Sequence, residues 1–528
     1  MSTNRPVVVT LLFLFVLILT PACSASSQAL KMYDLSPSMS PAPTMVVLKE
    51  ALELGAEEGE IVFLSPPNDE PYIDNFFENY GVNPFIDTED DHYSTFGLDV
   101  DTGSYTIARR YVTDGNIPPE DAVRVEEFVN YFNQDYAYPP EEQAFAIHLD
   151  GAPTPWGETE RYQMMRVGIQ GYAVPAEERK DVSLTFVIDV SGSMDMENRL
   201  ELVKRSLELL VEQLRPSDSV SIVVYGTDAR IILEPVHGDR KETILRAIYS
   251  LHPEGVTNAE AGLRLAYKMA LQAFNPEGIN RVILCSDGVA NVGNTGAETI
   301  WDQIESYASE GITLTTVGFG MGNYNDVLME QLADNGDGFY AYVDTLKEAE
   351  RLFVENLTST LQVIAMDAKV QVDFNPEVVS RYRLVGFENR AIADEDFRDD
   401  TVDAGEIGAG HSVTALYEFK LHPDASGQVA TVYLRWEDPD THEITELNQE
   451  ISSKALAESF SAANPYFQWD VIVAEYAEIL RGSYWAEGSS LAGVLEEAQR
   501  VGGYLSEDPD VSEFVELVKR AAQITRAE

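Results

Sequence analysis

An apolar run passes directly into a loop of small polar residues at Phe186-Val187-Ile188-Asp189-Val190-Ser191-Gly192-Ser193-Met194. The run predicts a buried β-strand, and the loop carries the carboxylate of Asp189 and the hydroxyls of Ser191 and Ser193 at alternate positions. Because Gly192 lets the chain turn tightly, these three oxygens can face one point. A small hard cation such as Mg²⁺ takes about six oxygen ligands and keeps several waters, so the loop has the chemistry of a metal site.

Apolar β-type runs alternate with amphipathic helices from about residue 182 to residue 361. The predicted strands are Leu184–Ile188, Val220–Tyr225, Ile231–Leu233, Val282–Leu284, Thr313–Val317 and Phe339–Tyr342. The predicted helices are Arg199–Leu214, Arg240–Leu251, Ala259–Phe274, Glu298–Ser309, Asn325–Ala333 and Lys347–Thr358. This order predicts an α/β fold with a doubly wound, mainly parallel sheet covered on both faces. Ligands of such sheets bind at the carboxyl ends of the strands.

Two later loops fall at the same predicted edge of the sheet. The first is Gly255-Val256-Thr257-Asn258, before a helix, and the second is Ser286-Asp287-Gly288, after a strand. Thr257 adds a hydroxyl and Asp287 adds a carboxylate. We therefore predict a site for Mg²⁺, or for Mn²⁺ or Ca²⁺, formed by five residues: Asp189, Ser191, Ser193, Thr257 and Asp287. The alternative is that Asp189 and Ser191 only cap the helix after their loop and that Asp287 caps the next one.

Strand patterns also flank the α/β unit on both sides. Before it, alternation at Phe145–Leu149 and Met164–Ile169 predicts two strands, and after Val363 several short alternating runs separated by turn residues indicate a β-sandwich. We therefore predict that the α/β unit is inserted into a sandwich, with helical segments at the N-terminal and C-terminal sides. Such insertions are tolerated because the two ends of a domain often lie close together.

The segments of the chain follow from these patterns. They are a signal peptide at 1–22, a flexible tether with an unassigned part at 23–75, a helical N-terminal region at 76–144, the first sandwich strands at 145–181, the α/β domain at 182–362, the rest of the sandwich at 363–450 and a C-terminal helical segment at 451–528.

The N-terminus predicts a location outside the cytoplasm. A single basic residue, Arg5, precedes the apolar run Val7–Leu19, which is too short for a spanning helix and is typical of a signal peptide. Leu19-Thr20-Pro21-Ala22-Cys23 then resembles the lipobox of bacterial lipoproteins. Lipidation at Cys23 would hold the protein at the cell membrane or outer membrane. The alternative is ordinary cleavage near Ala25.

The charge of the chain limits which partners are favourable, and its cysteine content limits how the fold can be stabilised. The 528 residues carry a formal net charge of -53, which repels phosphate backbones and makes nucleic acid an unfavourable partner. Only two cysteines occur, so disulfides cannot be the main source of stability, which must come from packed cores.

The pattern Asp189-x-Ser191-x-Ser193, then Thr257, then Asp287 resembles the metal-ion-dependent adhesion site of von Willebrand factor type A domains. In that family the serines, with the threonine or the second aspartate, bind the metal directly, and an acidic group of the partner completes the shell. The resemblance implies that Ser191, Ser193 and Thr257 are direct ligands. Asp189 and Asp287 would bind directly or through water.

The resemblance extends beyond the α/β domain, from about residue 83 to the C-terminus. The stretches 98–105 and 123–127 are similar to the N-terminal segment of a family of bacterial extracytoplasmic proteins with this domain, and 397–400, 404–411 and 415–418 are similar to its downstream partner domain. This likeness implies an architecture more than a molecular role.

Together these features predict a lipid-anchored protein of the cell envelope that binds an unidentified protein or polymer through a carboxylate on its metal, and that catalyses no reaction. One alternative is a hydrolase in which Asp189 and Asp287 flank a metal that activates water. No histidine, lysine or glutamate motif near the loops offers a general base for it. A second alternative is a passive envelope scaffold.

Overall fold

The computed structural model describes residues 75–140, 142–156, 162–255, 257–288, 297–321 and 324–527. The predicted signal peptide, the lipidation residue Cys23 and nearly all of the 23–75 segment lie outside these residues. Within the described ranges, no helix has the length and apolar character needed to cross a bilayer.

Sixteen strands and twelve α-helices are present in the described part of the chain, with short 3₁₀ and π turns between them. The strands are β1 Ile86–Asp87, β2 Tyr93–Gly97, β3 Phe145–Pro153, β4 Tyr162–Gly171, β5 Val182–Asp189, β6 Ser219–Tyr225, β7 Ala229–His237, β8 Ile279–Ser286, β9 Ile312–Phe319, β10 Tyr340–Val343, β11 Val363–Phe374, β12 Val379–Val385, β13 Gly405–Gly408, β14 Ser412–Leu421, β15 Gln428–Glu437 and β16 Ile444–Ser452. The helices are α1 Gly103–Thr113, α2 Val125–Asn130, α3 Arg199–Gln213, α4 Lys241–Tyr249, α5 Ala259–Gln272, α6 Ala297–Ser309, α7 Asp326–Asp334, α8 Leu346–Glu350, α9 Leu357–Leu361, α10 Pro465–Leu480, α11 Leu491–Gly502 and α12 Pro509–Ala527.

The α/β unit is built on a six-stranded sheet in the order β10-β9-β8-β5-β6-β7. Its strands are parallel except β7, which pairs antiparallel with β6 at one edge. Every residue of the central strand β5 is buried, because helices cover both faces of the sheet. The predicted fold class, a doubly wound and mainly parallel sheet, is confirmed.

The sandwich encloses the α/β unit in sequence. Strand β4, before the unit, pairs antiparallel with β14, after it, with Met165 opposite Tyr417. The other sheet is centred on β11, which starts immediately after the unit at Val363 and pairs with β15. Between the sheets, Phe374 and Tyr382 stack with ring centroids 4.3 Å apart. The predicted insertion of the α/β unit into a β-sandwich is therefore confirmed by the strand pairing.

The N-terminal region 76–144 differs from the helical interpretation, because it also supplies two strands to the sandwich. Strand β1 pairs with β12, and β2 pairs with β11, with Phe96 opposite Val370. These strands have two and five residues, and β2 is Tyr-Ser-Thr-Phe-Gly, with weak apolar alternation. Their pairing partners lie more than 250 residues later in the chain, so this β structure depends on tertiary contacts that local sequence does not encode.

The C-terminal helices pack against the N-terminal ones. Helix α10 is buried on nearly all sides, and its Trp469 ring lies 5.6 Å from the ring of Phe132 and 5.2 Å from that of Phe514, measured between centroids. A helix that is apolar all round requires neighbours on every face. The two ends of the described chain thus form one helical core beside the sandwich.

Buried arginines join this helical region to the α/β unit. Arg124 Nη1 donates to Asp326 Oδ2 of α7 at 2.7 Å, and Arg109 Nη2 donates to Asp344 Oδ1 at 2.6 Å and to Glu348 Oε2 at 2.8 Å. Removing one member of such a buried pair leaves an uncompensated charge, which destabilises proteins by about 3–5 kcal/mol. These pairs therefore fix the α/β unit against its neighbours.

Glu126 lies in the same region and gives the fold a pH dependence. Its carboxylate is buried, accepts a hydrogen bond from the Phe387 backbone N–H at 2.9 Å through Oε2, and has no hydrogen-bond partner at Oε1 among the described residues. Burial, together with the charge of Glu388, raises the pKa of Glu126 to about 7. The folded protein therefore holds this proton more tightly than the unfolded chain, in which a glutamate has a pKa near 4.3.

We expect Glu126→Gln to stabilise the protein at pH 8 and to change little at pH 5. Because the folded-state pKa is the higher one, the stability contributed by this group falls as pH rises from about 4.5 through 7. The amide stays neutral and still accepts from Phe387, so the gain at pH 8 should be on the order of 2 kcal/mol. Thermal unfolding at both pH values measures the change in stability, and Glu178→Gln, at an exposed position, is the control. An equal change at both pH values would show that ionisation of Glu126 is not the cause.

Candidate metal centre

The first loop of the centre follows β5. Asp189 is the last residue of the strand and is fully buried, and its Oδ1 accepts a hydrogen bond from the Ser191 backbone N–H at 2.7 Å. The hydroxyl oxygens of Ser191 and Ser193 lie 3.0 Å apart. The structure thus brings together the three oxygen-bearing side chains that the alternate spacing predicted.

The second loop lies against the first. The Gly192 N–H donates to the Gly255 carbonyl oxygen at 3.2 Å. Thr257 comes two residues later and is half-buried, directly before the cap of α5, while Val256 is not among the described residues. Gly255 has φ +72°, and a Cβ there would lie 1.9 Å from Thr227 Oγ1. Only glycine fits this close approach to the loop between β6 and β7, and the Gly255 carbonyl in turn accepts from the serine loop.

The third loop follows β8 and is connected to the first through Ser286. Ser286 Oγ donates to Asp189 Oδ2 at 3.2 Å and accepts from the Gly288 N–H at 3.2 Å. Asp287, which lies between Ser286 and Gly288 in the sequence, is buried. The predicted residues therefore lie on three loops at one edge of the sheet, at the carboxyl ends of β5 and β8.

Helix capping does not account for the arrangement. Asp189 accepts from the N–H of Ser191 in its own loop, ten residues before α3 begins at Arg199. Ser191 precedes a 3₁₀ turn, but its side chain makes no capping hydrogen bond there. Asp287 is ten residues before the start of α6. The structure therefore does not support the interpretation that these residues only cap helices.

Negative charge is concentrated between the loops. Burial, and next the charge of Asp287, raise the pKa of Asp189 to about 6. Burial and both carboxylates also raise the pKa of the Tyr225 phenol well above its usual range, so that it stays protonated. The two buried carboxylates repel each other, and a cation near them would relieve the repulsion.

Arg199 is a residue of the centre that the sequence analysis did not identify. Its Nη1 donates to Asp287 Oδ2 at 2.8 Å, its Nη2 donates to the Met321 carbonyl oxygen, and both charged side chains are buried. A signal was available, because Arg199 is the first residue of α3, where the helix macrodipole disfavours positive charge. An arginine at that position indicates a specific anionic partner.

The donor set fits a hard divalent cation. The three adjoining loops carry three hydroxyls and two carboxylates. Ser191 is buried, whereas Ser193 and Thr257 are half-buried, so solvent reaches the centre on the side of Ser193 and Thr257. Within the described ranges, no group of three or more His, Cys, Asp or Glu side chains is placed to hold a metal. A cation here would therefore depend on serine and threonine oxygens, which suits Mg²⁺.

Three protein families match consecutive parts of the chain. The family described as von Willebrand factor type A domain matches residues 183–355, which contain all five predicted metal-site residues. The family described as von Willebrand factor matches residues 72–166, and the family described as Uncharacterized protein YfbK, C-terminal, matches residues 359–524.

The chain is also similar to individual proteins of known sequence and of known structure. The chain is 36% identical over 477 residues to Uncharacterized protein YfbK of Escherichia coli, covering 85% of this chain and 81% of the relative. It is 28% identical to human Inter-alpha-trypsin inhibitor heavy chain H3, covering 30% of this chain and 18% of the relative. Among solved structures, a von Willebrand factor type A protein from Catenulispora acidiphila matches with 14% identity and a TM-score of 0.42, covering 71% of this chain and 89% of that chain.

Proposed function

Because the chain belongs to the family of von Willebrand factor type A domain proteins that includes YfbK, we propose that it is a metal-dependent binding module of the cell envelope. Domains of this type commonly mediate protein–protein binding. In this proposal a divalent cation, Mg²⁺ or alternatively Mn²⁺ or Ca²⁺, is held by Ser191, Ser193 and Thr257. Asp189 and Asp287 bind it directly or through water.

The observation that carries the proposal is the connection of three loops at one sheet edge. Ser286 links Asp189 to the third loop, and the contact between Gly192 and Gly255 links the first loop to the second. The cation supplies a Lewis-acidic position that can accept an oxygen ligand of a partner. Ser193 and Thr257 are half-buried, so a carboxylate of a protein or polymer could reach the cation from their side.

The strong negative charge of the chain affects how a carboxylate-bearing partner can bind. At a formal net charge of -53, a carboxylate partner is repelled over a distance set by salt screening, about 8 Å at 0.15 M. The cation offsets this charge only locally. We therefore expect partner binding to weaken at low ionic strength, opposite to the usual behaviour of complexes between oppositely charged proteins.

We further propose that the protein is extracytoplasmic and anchored in the cell membrane or outer membrane by lipid at Cys23. The support is the short apolar run followed by a lipobox-like sequence at 19–23. Mass spectrometry of the mature N-terminus tests it. An acylated cysteine is the expected result, and an unmodified N-terminus near Ser26 would contradict the anchor.

Ser191→Ala should abolish metal-dependent capture of the partner, because it removes a hydroxyl that faces the cation while leaving the fold intact. The test is affinity capture from envelope extracts with wild-type protein in Mg²⁺, with wild-type protein in EDTA and with the variant in Mg²⁺. The control is Ser250→Ala, which removes a hydroxyl bonded only to the Ala247 carbonyl oxygen. We expect one partner to be retained by wild-type protein and by Ser250→Ala in Mg²⁺. It should be lost from wild-type protein in EDTA and from Ser191→Ala in Mg²⁺.

The two alternatives give different results in the same samples. A hydrolase would show metal-dependent turnover of phosphoester or peptide substrates that Ser191→Ala reduces. A passive scaffold would retain its neighbours equally in Mg²⁺ and EDTA. Either outcome would contradict the proposed binding role.

A further inference from the structure

A large cavity lies apart from the metal loops. It has a volume of about 830 Å³ and opens where β10, the helices α8 and α9, and the loop at residues 504–510 meet. None of the five predicted metal-site residues lines it. Its volume is in the range of cavities that bind small ligands or short peptide segments.

The lining of the cavity has an excess of negative charge, although Glu348 is paired with Arg109 and Asp510 with Lys347. Its carboxylates are Glu348, Glu355, Glu507, Asp508 and Asp510, whereas Arg351 is the one arginine or lysine in the lining. His411 adds no positive charge at neutral pH, because burial, and next the nearby arginines, lower its pKa to about 4. This lining disfavours phosphates and other anions and favours a cationic ligand.

Two of the carboxylates are available to a ligand. Glu355 and Glu507 are exposed, and neither carboxylate makes a hydrogen bond or an ion pair with any part of the chain that the structure describes. Tyr138 and Tyr504, also in the lining, have 61% and 71% of their surfaces exposed. Tyrosine rings beside carboxylates bind ammonium and guanidinium groups by combined cation–π and ionic attraction.

The wall of the cavity already holds one cation in this way. The Arg351 guanidinium lies 3.7 Å from the centroid of the Tyr131 ring, and its Nη1 lies 3.7 Å from Asp510 Oδ2. The cavity therefore combines tyrosine rings and carboxylates in a geometry that accommodates a guanidinium. Its outer part, at Glu355 and Glu507, has the same side-chain types, and no described arginine or lysine is paired with these two carboxylates.

Neutral donor groups favour a peptide over a free polyamine. Asn133, Asn356 and Ser506 also line the cavity. Their amide and hydroxyl groups can donate to carbonyl oxygens, which a peptide backbone has and a polyamine lacks. We propose that this cavity binds a lysine- or arginine-bearing peptide segment of a partner protein, independently of the metal centre.

The test is calorimetric titration of the protein beginning at Ser24 with the capped peptide Gly-Lys-Gly-Lys-Gly at 0.15 M salt. The comparison ligands are the uncharged peptide Gly-Gln-Gly-Gln-Gly, the polyamine spermidine and the neutral sugar chitotriose. The cavity variant is Glu355→Gln with Glu507→Gln. The matched control, Glu277→Gln with Glu377→Gln, removes the same charge from two exposed glutamates outside the lining.

We expect the lysine peptide to bind, the cavity variant to weaken it about tenfold and the control to change it less than twofold. Asp189→Asn should leave this binding unchanged. Equal weakening in both double variants would mean non-specific attraction to an acidic surface and would overturn the proposal. So would equal binding of the glutamine peptide, tighter binding of spermidine or chitotriose, or no binding at all.

Discussion

Asp189→Asn should abolish saturable binding of Mg²⁺, raising its dissociation constant by about 100-fold or more. The substitution removes a buried negative charge that lies beside Ser191 but keeps the size of the side chain and the oxygen that accepts from the Ser191 N–H. Because Asp189 and Asp287 repel each other, the metal-free variant should be at least as stable as the metal-free wild type. Calorimetric titration and thermal unfolding in EDTA measure the two effects.

The many surface carboxylates are the reason for a matched control. Asp228→Asn removes one acidic side chain from the loop after β6 and should leave the calorimetric curve of wild type unchanged. Identical curves for wild type and Asp189→Asn would mean that the metal-free chain has no cation site at these loops. A loss of stability in EDTA comparable to that of a core substitution would show that Asp189 has a structural role instead.

Arg199→Met should destabilise the metal-free protein by about 3–5 kcal/mol, because it removes a buried guanidinium that pairs with the buried Asp287 carboxylate. Added Mg²⁺ should raise the unfolding temperature of this variant more than that of wild type, since the cation then replaces the missing positive charge. Arg199 would thus stabilise the loops in the absence of metal. Thermal unfolding in EDTA and in Mg²⁺ provides both measurements.

Two comparisons show whether the charge or the bulk of Arg199 matters. Arg199→Lys keeps the charge and should retain part of the stability, whereas Arg205→Met, on the exposed face of the same helix, should change little. If Mg²⁺ stabilised wild type and Arg199→Met by the same amount, the guanidinium would not be compensating charge at the metal centre.

The sequence predicted most of the α/β unit because its strands are long enough and apolar enough to be recognised locally. Strand β5, for example, is Val-Ser-Leu-Thr-Phe-Val-Ile-Asp and buried throughout. The ends of parallel strands meet at one edge, so Asp189 and Asp287 could be placed together without knowledge of their contacts.

The features that the sequence missed depend on distant contacts. Strands β1 and β2 form only by pairing with β12 and β11, far along the chain. Arg199 could be seen as the start of a helix, but its partner lies 88 residues later. The cavity is lined by segments from six separate parts of the chain, none of which has a recognisable motif.

The most direct test of the metal centre is the position of a bound cation in crystals of the protein grown with Mn²⁺, located by anomalous scattering. We predict one strong peak within about 2.2 Å of the hydroxyl oxygens of Ser191 and Ser193, near Thr257. The absence of a peak at these loops, with manganese bound only at surface carboxylates, would contradict it.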